Sequence, residues 1–255
     1  MKLVFCIPGA SFSYRFMRAW TAALAHLGRE HSVYPRFDYS CNIYYARNLV
    51  LGGDIGRGPK QKPFNSQIDY DWTIWIDSDI LFHPEQILRL ISHDQPIMSG
   101  FYLMADGRQF ATVEKWDEEF FKKNRTFPFM SPADVAKRKK PFEVSYTGFG
   151  IMAIKRGVFE KMEYPWFRPV WSKIGDMVDF SMEDVGFCKY AQKAGFKIMM
   201  DPGVVVIHEK LIPLYPQIVS NLETAKPDKL PFQTENLRTF EEEVQGVKAK
   251  LAEAK

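Results

Sequence analysis

The chain has 255 residues, 46% hydrophobic, 15% aromatic and 25% charged, with a net charge of +3. This composition excludes disorder, collagen and a disulfide-stapled miniprotein, and a chain this long buries roughly three-quarters of its unfolded surface without staples. One large α/β domain or two small ones fit the length. Cys6, Cys41 and Cys188 lie far apart and form no Cys-x-x-Cys, which fits a reducing compartment and argues against a structural zinc. The first apolar run, residues 3–7, is too short for a secretion signal, and no apolar stretch approaches a membrane span. The expectation is a cytoplasmic protein.

Residues 3–7 are apolar at every position, as a parallel strand buried on both faces would be. Phe16, Trp20, Leu24 and Leu27 then recur at helical spacing, with Gly28 as the stop. A short strand is expected near residues 32–34 and a helix over 42–51, closed by Gly52-Gly53. Residues 72–76 form the clearest central strand and run directly into Asp77-Ser78-Asp79. Pro84 opens a short helix with Ile87, Leu88 and Ile91 on its apolar face, and a strand follows at 96–102. Residues 106–142 read as an irregular, charged and aromatic cover. Beyond it come a strand at 146–154, helices at 156–162 and 182–194, strands at 196–199 and 204–208, and a polar helix at 231–255. Strands alternating with helices predict a single α/β domain.

Charge is unevenly spread. Residues 121–140 carry Lys122, Lys123, Arg125, Lys137, Arg138, Lys139 and Lys140 against Asp134 alone, a local balance of +6. A solvated loop is the plain reading, and a surface for a phosphate-bearing acceptor or an anionic membrane the sharper one.

Three short patterns carry chemistry. Asp77 and Asp79 stand at the carboxyl end of a buried strand, where open α/β sheets bind ligands. Residues i and i+2 of an extended chain are roughly 6.6–7 Å apart, so one carboxylate would grip an ion and the other a second ligand group or a bound water. Hard oxygen ligands suit Mg²⁺ or Mn²⁺ carrying a diphosphate. Ser181-Met182-Glu183-Asp184 has the Ser-x-x-Asp form of a capping box, which needs no chemistry, yet a carboxylate at a helix start is also held ionised as a base should be. Finally, a strand ends in His208, followed by Glu209 and Lys210, an imidazole that could complete a metal site and a cation that could meet phosphate.

The order of these patterns resembles that of a GT-A fold glycosyltransferase, of the compact soluble kind frequent in phages and bacteria. The resemblance is carried by Tyr45-Ala46-Arg47-Asn48, Trp75-Ile76-Asp77-Ser78-Asp79, Thr147-Gly148-Phe149-Gly150, Met182-Glu183-Asp184-Val185-Gly186-Phe187-Cys188 and His208-Glu209-Lys210. It implies a mixed, mostly parallel sheet flanked by helices over residues 1–215, with 216–255 as a peripheral helical extension. It also implies transfer of a sugar from a nucleoside-diphosphate sugar, a UDP-sugar by preference, to an acceptor hydroxyl. Pro8, Gly9, Arg47, Asn48, Asp77, Ser78, Gly148, Gly150 and Lys210 would bind the donor, and Asp77, Asp79 and His208 would serve Mn²⁺ or Mg²⁺. Asp184 would take the acceptor proton, with Glu183 helping to hold the acceptor. Trp166, Phe167, Trp171 and Tyr146 would offer rings to sugar or base faces. The acceptor could be a glycan, a lipid-linked glycan or, through the 121–140 segment, hydroxymethylated DNA. A nucleotidyltransferase and a non-catalytic nucleotide-sugar-binding module are the alternatives.

Overall fold

The first apolar run is buried on both faces because it lies inside a sheet. β1 (Lys2–Pro8) pairs in parallel with β2 (Ser32–Asp38) on one side and β3 (Trp72–Ile76) on the other. The computed structural model describes residues 1–211. Two helices connect these strands, α1 (Tyr14–Leu27) and α2 (Ile43–Val50). Ser13 caps α1 by accepting from the Phe16 N–H, and Asn42 caps α2 through the Tyr44 N–H. β4 (Ile80–Leu81), α3 (Pro84–Ser92) and β5 (Ile97–Phe101) follow. The cover contains β6 (Thr112–Val113), α4 (Glu118–Asn124) and α5 (Pro132–Ala136), and ends in β7 (Phe142–Val144). Then come β8 (Tyr146–Thr147), β9 (Ile151–Lys155) and α6 (Val158–Lys161), a hairpin of β10 (Trp171–Ile174) and β11 (Met177–Phe180), and α7 (Glu183–Lys193). β12 (Ile198–Val205) and β13 (Ile207–His208) close the described part of the chain.

The main sheet has the order β2-β1-β3-β9-β5-β12-β7. β9 lies antiparallel between β3 and β5, and β7 is antiparallel to β12. The other five strands share one direction, so the sheet is mixed and mostly parallel, as the sequence predicts. Alternation along β3 serves two cores: Trp75 faces one, and Trp72, Ile74 and Ile76 face the other. The first core is covered by Val50 of α2, Phe159 of α6 and Phe187 and Ala191 of α7. The second is covered by Phe16, Trp20 and Leu27 of α1 and Ile87, Leu90 and Ile91 of α3. β12 is pinned to α3 by Asp201, which is fully buried. Its carboxylate accepts from Arg89 Nε (2.6 Å) and Nη2 (3.0 Å) and from the Gly203 N–H (2.8 Å), and lies 2.7 Å from His93 Nε2.

Several expectations change. Most of the aromatic surplus is core: Trp75, Phe149, Phe159, Phe167 and Phe187 pack ring against ring, with Trp75–Phe167 centroids 5.0 Å apart and Phe149–Phe187 4.8 Å apart. Trp166 and Phe167 are therefore unavailable to a ligand, at 0% and 1% exposure. The single strand expected at 146–154 is broken at Gly148-Phe149-Gly150, where Tyr102 lies on the bare backbone. A Cβ at Gly150 would stand 2.5 Å from that ring, and one at Gly148 would collide with its hydroxyl. The capping box at Ser181 does not form: the N-cap of α7 is Met182, and the Ser181 hydroxyl instead accepts from the Val170 N–H. The 216–255 extension, its expected helix and the end of the 1–215 unit fall outside the described residues. Among the described residues no helix is long and apolar enough to cross a membrane.

Candidate functional site

β1 and β3 end side by side, and β13 returns antiparallel to β4 with His208 opposite Ile80. Pro8 and Gly9 leave the sheet at this edge. The Gly9 N–H donates to the Asp38 carbonyl at 3.1 Å, and a Cβ at Gly9 would stand 2.6 Å from the Ser78 Cβ. Glycine is what lets the two strand ends close together.

The Asp77-Ser78-Asp79 triplet then divides. Asp77 turns towards Arg47: Nη2 donates to Oδ2 at 3.2 Å, and Nη1 lies 2.9 Å from Oδ1 but out of line for a hydrogen bond. Arg47 Nε donates to Glu183 Oε1 at 3.0 Å. Arg47 is 3% exposed and Glu183 5%, so a buried carboxylate–guanidinium–carboxylate chain ties the end of β3 to α2 and to the first residue of α7. The guanidinium also lies over the Phe149 ring, 4.8 Å from its centre. Burial raises the Asp77 carboxyl, with Arg47 opposing. Burial would lower Arg47, but Asp77 and Glu183 outweigh it and raise the guanidinium. Asn48, next along α2, is occupied elsewhere. Its amide donates to the carbonyls of Tyr44 and Phe167, both at 2.8 Å, and accepts from the N–H groups of Trp166 and Phe167.

Asp79 faces the other way. Its Oδ2 accepts from Lys210 Nζ at 2.7 Å and lies 3.1 Å from His208 Nε2. His208 Nδ1 is 2.7 Å from the Leu103 carbonyl, which can only accept, so this geometry puts a proton on Nδ1. Nε2 then aims its lone pair at a carboxylate, unless it too is protonated or a cation lies between. Burial raises Asp79, but the neighbouring His208 and Lys210 outweigh it and hold the carboxyl at about 2.

The pair fits a divalent cation. Adjacent ligands on an octahedral ion of this size stand about 3 Å apart, close to the 3.1 Å here. The Leu103 carbonyl fixes the tautomer that a metal-bound imidazole needs. Asp77 Oδ1, a buried acceptor without an aligned donor, stands two residues along the same turn. Among the described residues no three His, Cys, Asp or Glu side chains converge to enclose an ion by themselves. Two protein ligands suit a hard cation that keeps water and phosphate oxygens.

Asp184 is half-buried at the start of α7. Oδ2 accepts from the Tyr146 hydroxyl at 2.8 Å, and Oδ1 accepts from the Val185 N–H at 2.7 Å. Burial, and next the neighbouring Glu183, push its carboxyl up to about 6. Burial and Asp184 push the Tyr146 phenol well up, which keeps it a donor. Tyr102 joins the parts: its ring meets His208 edge-on at 5.2 Å, and its hydroxyl is raised by burial and by the charges of Asp77 and Asp184. Sequence reasoning missed Tyr102 and the Leu103 carbonyl, although both follow β5 at the same sheet edge. The strand-end rule that found Asp77 applies equally to them.

The basic segment looks different when folded. Lys122 pairs with Glu119 (2.6 Å), Lys137 with Asp134 (3.6 Å) and Arg138 with Glu114 (2.6 Å). Extending the window back to Glu114 adds four carboxylates and one lysine, and the balance falls from +6 to +3. The charge argument for a DNA acceptor weakens accordingly.

No family model and no curated protein matches the chain. Among solved structures it is similar to A197 from STIV, with 15% identity over 86% of this chain and 100% of that one and a TM-score of 0.49. It is also similar to GalNAc-T7 crystallised with UDP, GalNAc and Mn²⁺, with 13% identity over 82% of this chain and a TM-score of 0.47. The match spans 44% of the GalNAc-T7 chain. A third is glucosyl-3-phosphoglycerate synthase from Mycobacterium tuberculosis in complex with Mn²⁺ and uridine-diphosphate-glucose, with 13% identity over 84% of this chain and 72% of that one and a TM-score of 0.37.

Proposed function

We propose that this chain is a metal-dependent glycosyltransferase that moves a sugar from a nucleoside-diphosphate sugar, a UDP-sugar by preference, to an acceptor hydroxyl. The observation that carries the reading is the meeting of Asp79, His208 and Lys210 at the sheet edge, with the imidazole tautomer fixed by the Leu103 carbonyl. Asp79 and His208 hold Mn²⁺ or Mg²⁺, which when bound supplies charge neutralisation for the leaving diphosphate. Lys210 adds a mobile positive charge on the same side. Pro8, Gly9 and Ser78 form the floor under the nucleotide. Gly148 and Gly150 admit Tyr102, whose ring becomes one wall of the donor pocket. Arg47 fixes Asp77 and Glu183, so the two ends of the site keep their spacing.

Asp184 accepts the proton of the acceptor hydroxyl. With its carboxyl near 6 it is ionised at neutral pH yet basic enough for the task. Tyr146 holds one carboxylate oxygen and aims the other lone pairs into the cleft. Glu183, bound to Arg47, sets the start of α7.

The test is a panel of UDP-, GDP- and dTDP-sugars, with and without Mn²⁺, read as release of nucleoside diphosphate. Release from one donor, dependent on Mn²⁺ and lowered by about 10²–10³ in Asp79→Ala, is expected. Turnover that survives Asp79→Ala with added Mn²⁺ contradicts the metal assignment. An inactive panel with no nucleotide binding by calorimetry points to a non-catalytic module.

A further inference from the structure

We infer that Lys210 is a placeholder in the cation site: its ammonium stands on Asp79 where the divalent ion would bind and, once displaced, turns to the diphosphate. The inference rests on the metal assignment proposed above and adds a coupling to it. Cation and nucleotide then bind as mutually dependent ligands, and one side chain links them.

The contacts around Asp79 carry the argument. Lys210 Nζ and His208 Nε2 meet the same oxygen, Asp79 Oδ2, at 2.7 and 3.1 Å. Because His208 Nδ1 gives its proton to the Leu103 carbonyl, Nε2 offers that shared point a lone pair. A carboxylate and an imidazole lone pair side by side call for a cation, and the ammonium is the one that answers. Both members of the Lys210–Asp79 pair are open to solvent, at 43% and 38% side-chain exposure, whereas the Arg47 side chain on Asp77 is at 3%. An incoming ion can therefore reach the first pair and not the second.

The backbone is held while the side chain is free. The Glu209 N–H donates to the Asp79 carbonyl at 2.7 Å, and Glu209 Oε1 accepts from Arg15 Nη1 at 2.8 Å. Lys210 thus starts from a fixed point beside Asp79 and swings on a flexible four-carbon stem. A half-exposed ammonium–carboxylate pair is weak in water, so a doubly charged ion can replace it. The displaced ammonium is then a point charge without its carboxylate, and a diphosphate is the anion that restores a partner. Without nucleotide, the ion carries the cost of releasing the lysine; with nucleotide, that cost is offset. By linkage, the nucleotide gains as much affinity from the ion as the ion gains from the nucleotide.

The experiment is calorimetric titration of the full chain with Mn²⁺, alone and in the presence of UDP, for wild type, Lys210→Met, Lys210→Arg and Asp79→Ala. Lys210→Met is expected to bind Mn²⁺ alone more tightly than wild type, on the order of fivefold, because no ammonium has to leave Asp79. With UDP present the advantage disappears, since the wild-type lysine then has the diphosphate to turn to. Lys210→Arg keeps a cation for both partners and stays closer to wild type than Lys210→Met. Unchanged or weaker Mn²⁺ binding in Lys210→Met overturns the exchange and leaves the metal assignment standing. So does a rise of equal size with and without UDP, which reports lost charge alone. Mn²⁺ binding that is absent from every protein, or that persists in Asp79→Ala, overturns the metal assignment and the exchange with it.

Discussion

The site has a closed side and an open side, built from carboxylates two residues apart. Asp77 lies in a buried chain with Arg47 and Glu183, and its carboxyl is raised. Asp79 stands at the rim with His208 and Lys210, and its carboxyl is held at about 2. The same residue type in the same turn thus does two jobs. A carboxylate whose partner is a buried, rigid guanidinium holds elements together. One whose partners are an imidazole and a flexible lysine can exchange them for a ligand.

The sharpest way to break this contrast is Arg47→Met. It leaves Glu183 buried and Asp77 half-buried without a partner, a loss of about 3–5 kcal/mol. In a domain of this size the thermal midpoint falls by on the order of 10 °C. Lysine does not rescue it, because one ammonium cannot serve both carboxylates in the plane of the fork. Calorimetry of the three proteins decides the point; an unchanged midpoint in Arg47→Met removes the structural assignment.

Asp79→Ala should do the opposite. Nucleoside diphosphate release falls by about 10²–10³, while the thermal midpoint stays within a few degrees because the lost contacts are half-exposed. Unfolding in parallel with lost activity would erase the distinction between the two sides.

Asp201 offers a control away from the cleft, a buried carboxylate whose work is purely structural. Asp201→Asn costs about 1–3 kcal/mol. Burial alone would raise its carboxyl, but Arg89, His93 and the Gly203 N–H together hold it at about 2. A depressed carboxyl stabilises the fold fully above its unfolded value near 3.9 and loses that contribution as pH falls towards 2. Denaturant titrations at pH 2–5 should show a steeper acid decline in wild type than in Asp201→Asn.

The smallest effect concerns Tyr146→Phe. The hydrogen bond from Tyr146 lowers the Asp184 carboxyl, against burial and Glu183, which raise it. Its removal moves the acid limb of the rate profile to higher pH, with a loss at pH 6 of roughly fivefold and little change at pH 8. A profile that drops uniformly instead would give Tyr146 a packing role only.

Much of the frame is readable from residues alone. The apolar run before Pro8 and the largely apolar one before Asp77 read as central strands. The two-residue period of the second puts Asp77 and Asp79 on one face, but their divergence towards Arg47 and His208 is set by the turn after the strand. Two kinds of feature escape such reading. One is partner choice: nothing local tells that Asn48 is consumed by the backbone of Phe167, or that Arg47 reaches Glu183, 136 residues away. The other is the exposed β10–β11 hairpin, whose outer face carries Trp171 and Phe180 and lacks the polar–apolar alternation that marks a half-buried strand. The charge of residues 121–140 misleads for a related reason. Three of those cations fold against carboxylates, and two of these carboxylates, Glu114 and Glu119, precede the window.

The reversed strand β9 also has a consequence for how the chain assembles. β3 and β5 are separated by 20 residues of sequence, yet they bond only through β9, which is made last of the three. Until residue 155 leaves the ribosome, two apolar strand edges stand open side by side with nothing between them. Synthesis halted at residue 150 therefore favours an aggregating polypeptide over a smaller folded one, and after β9 is made the other edge of β5 still waits for β12.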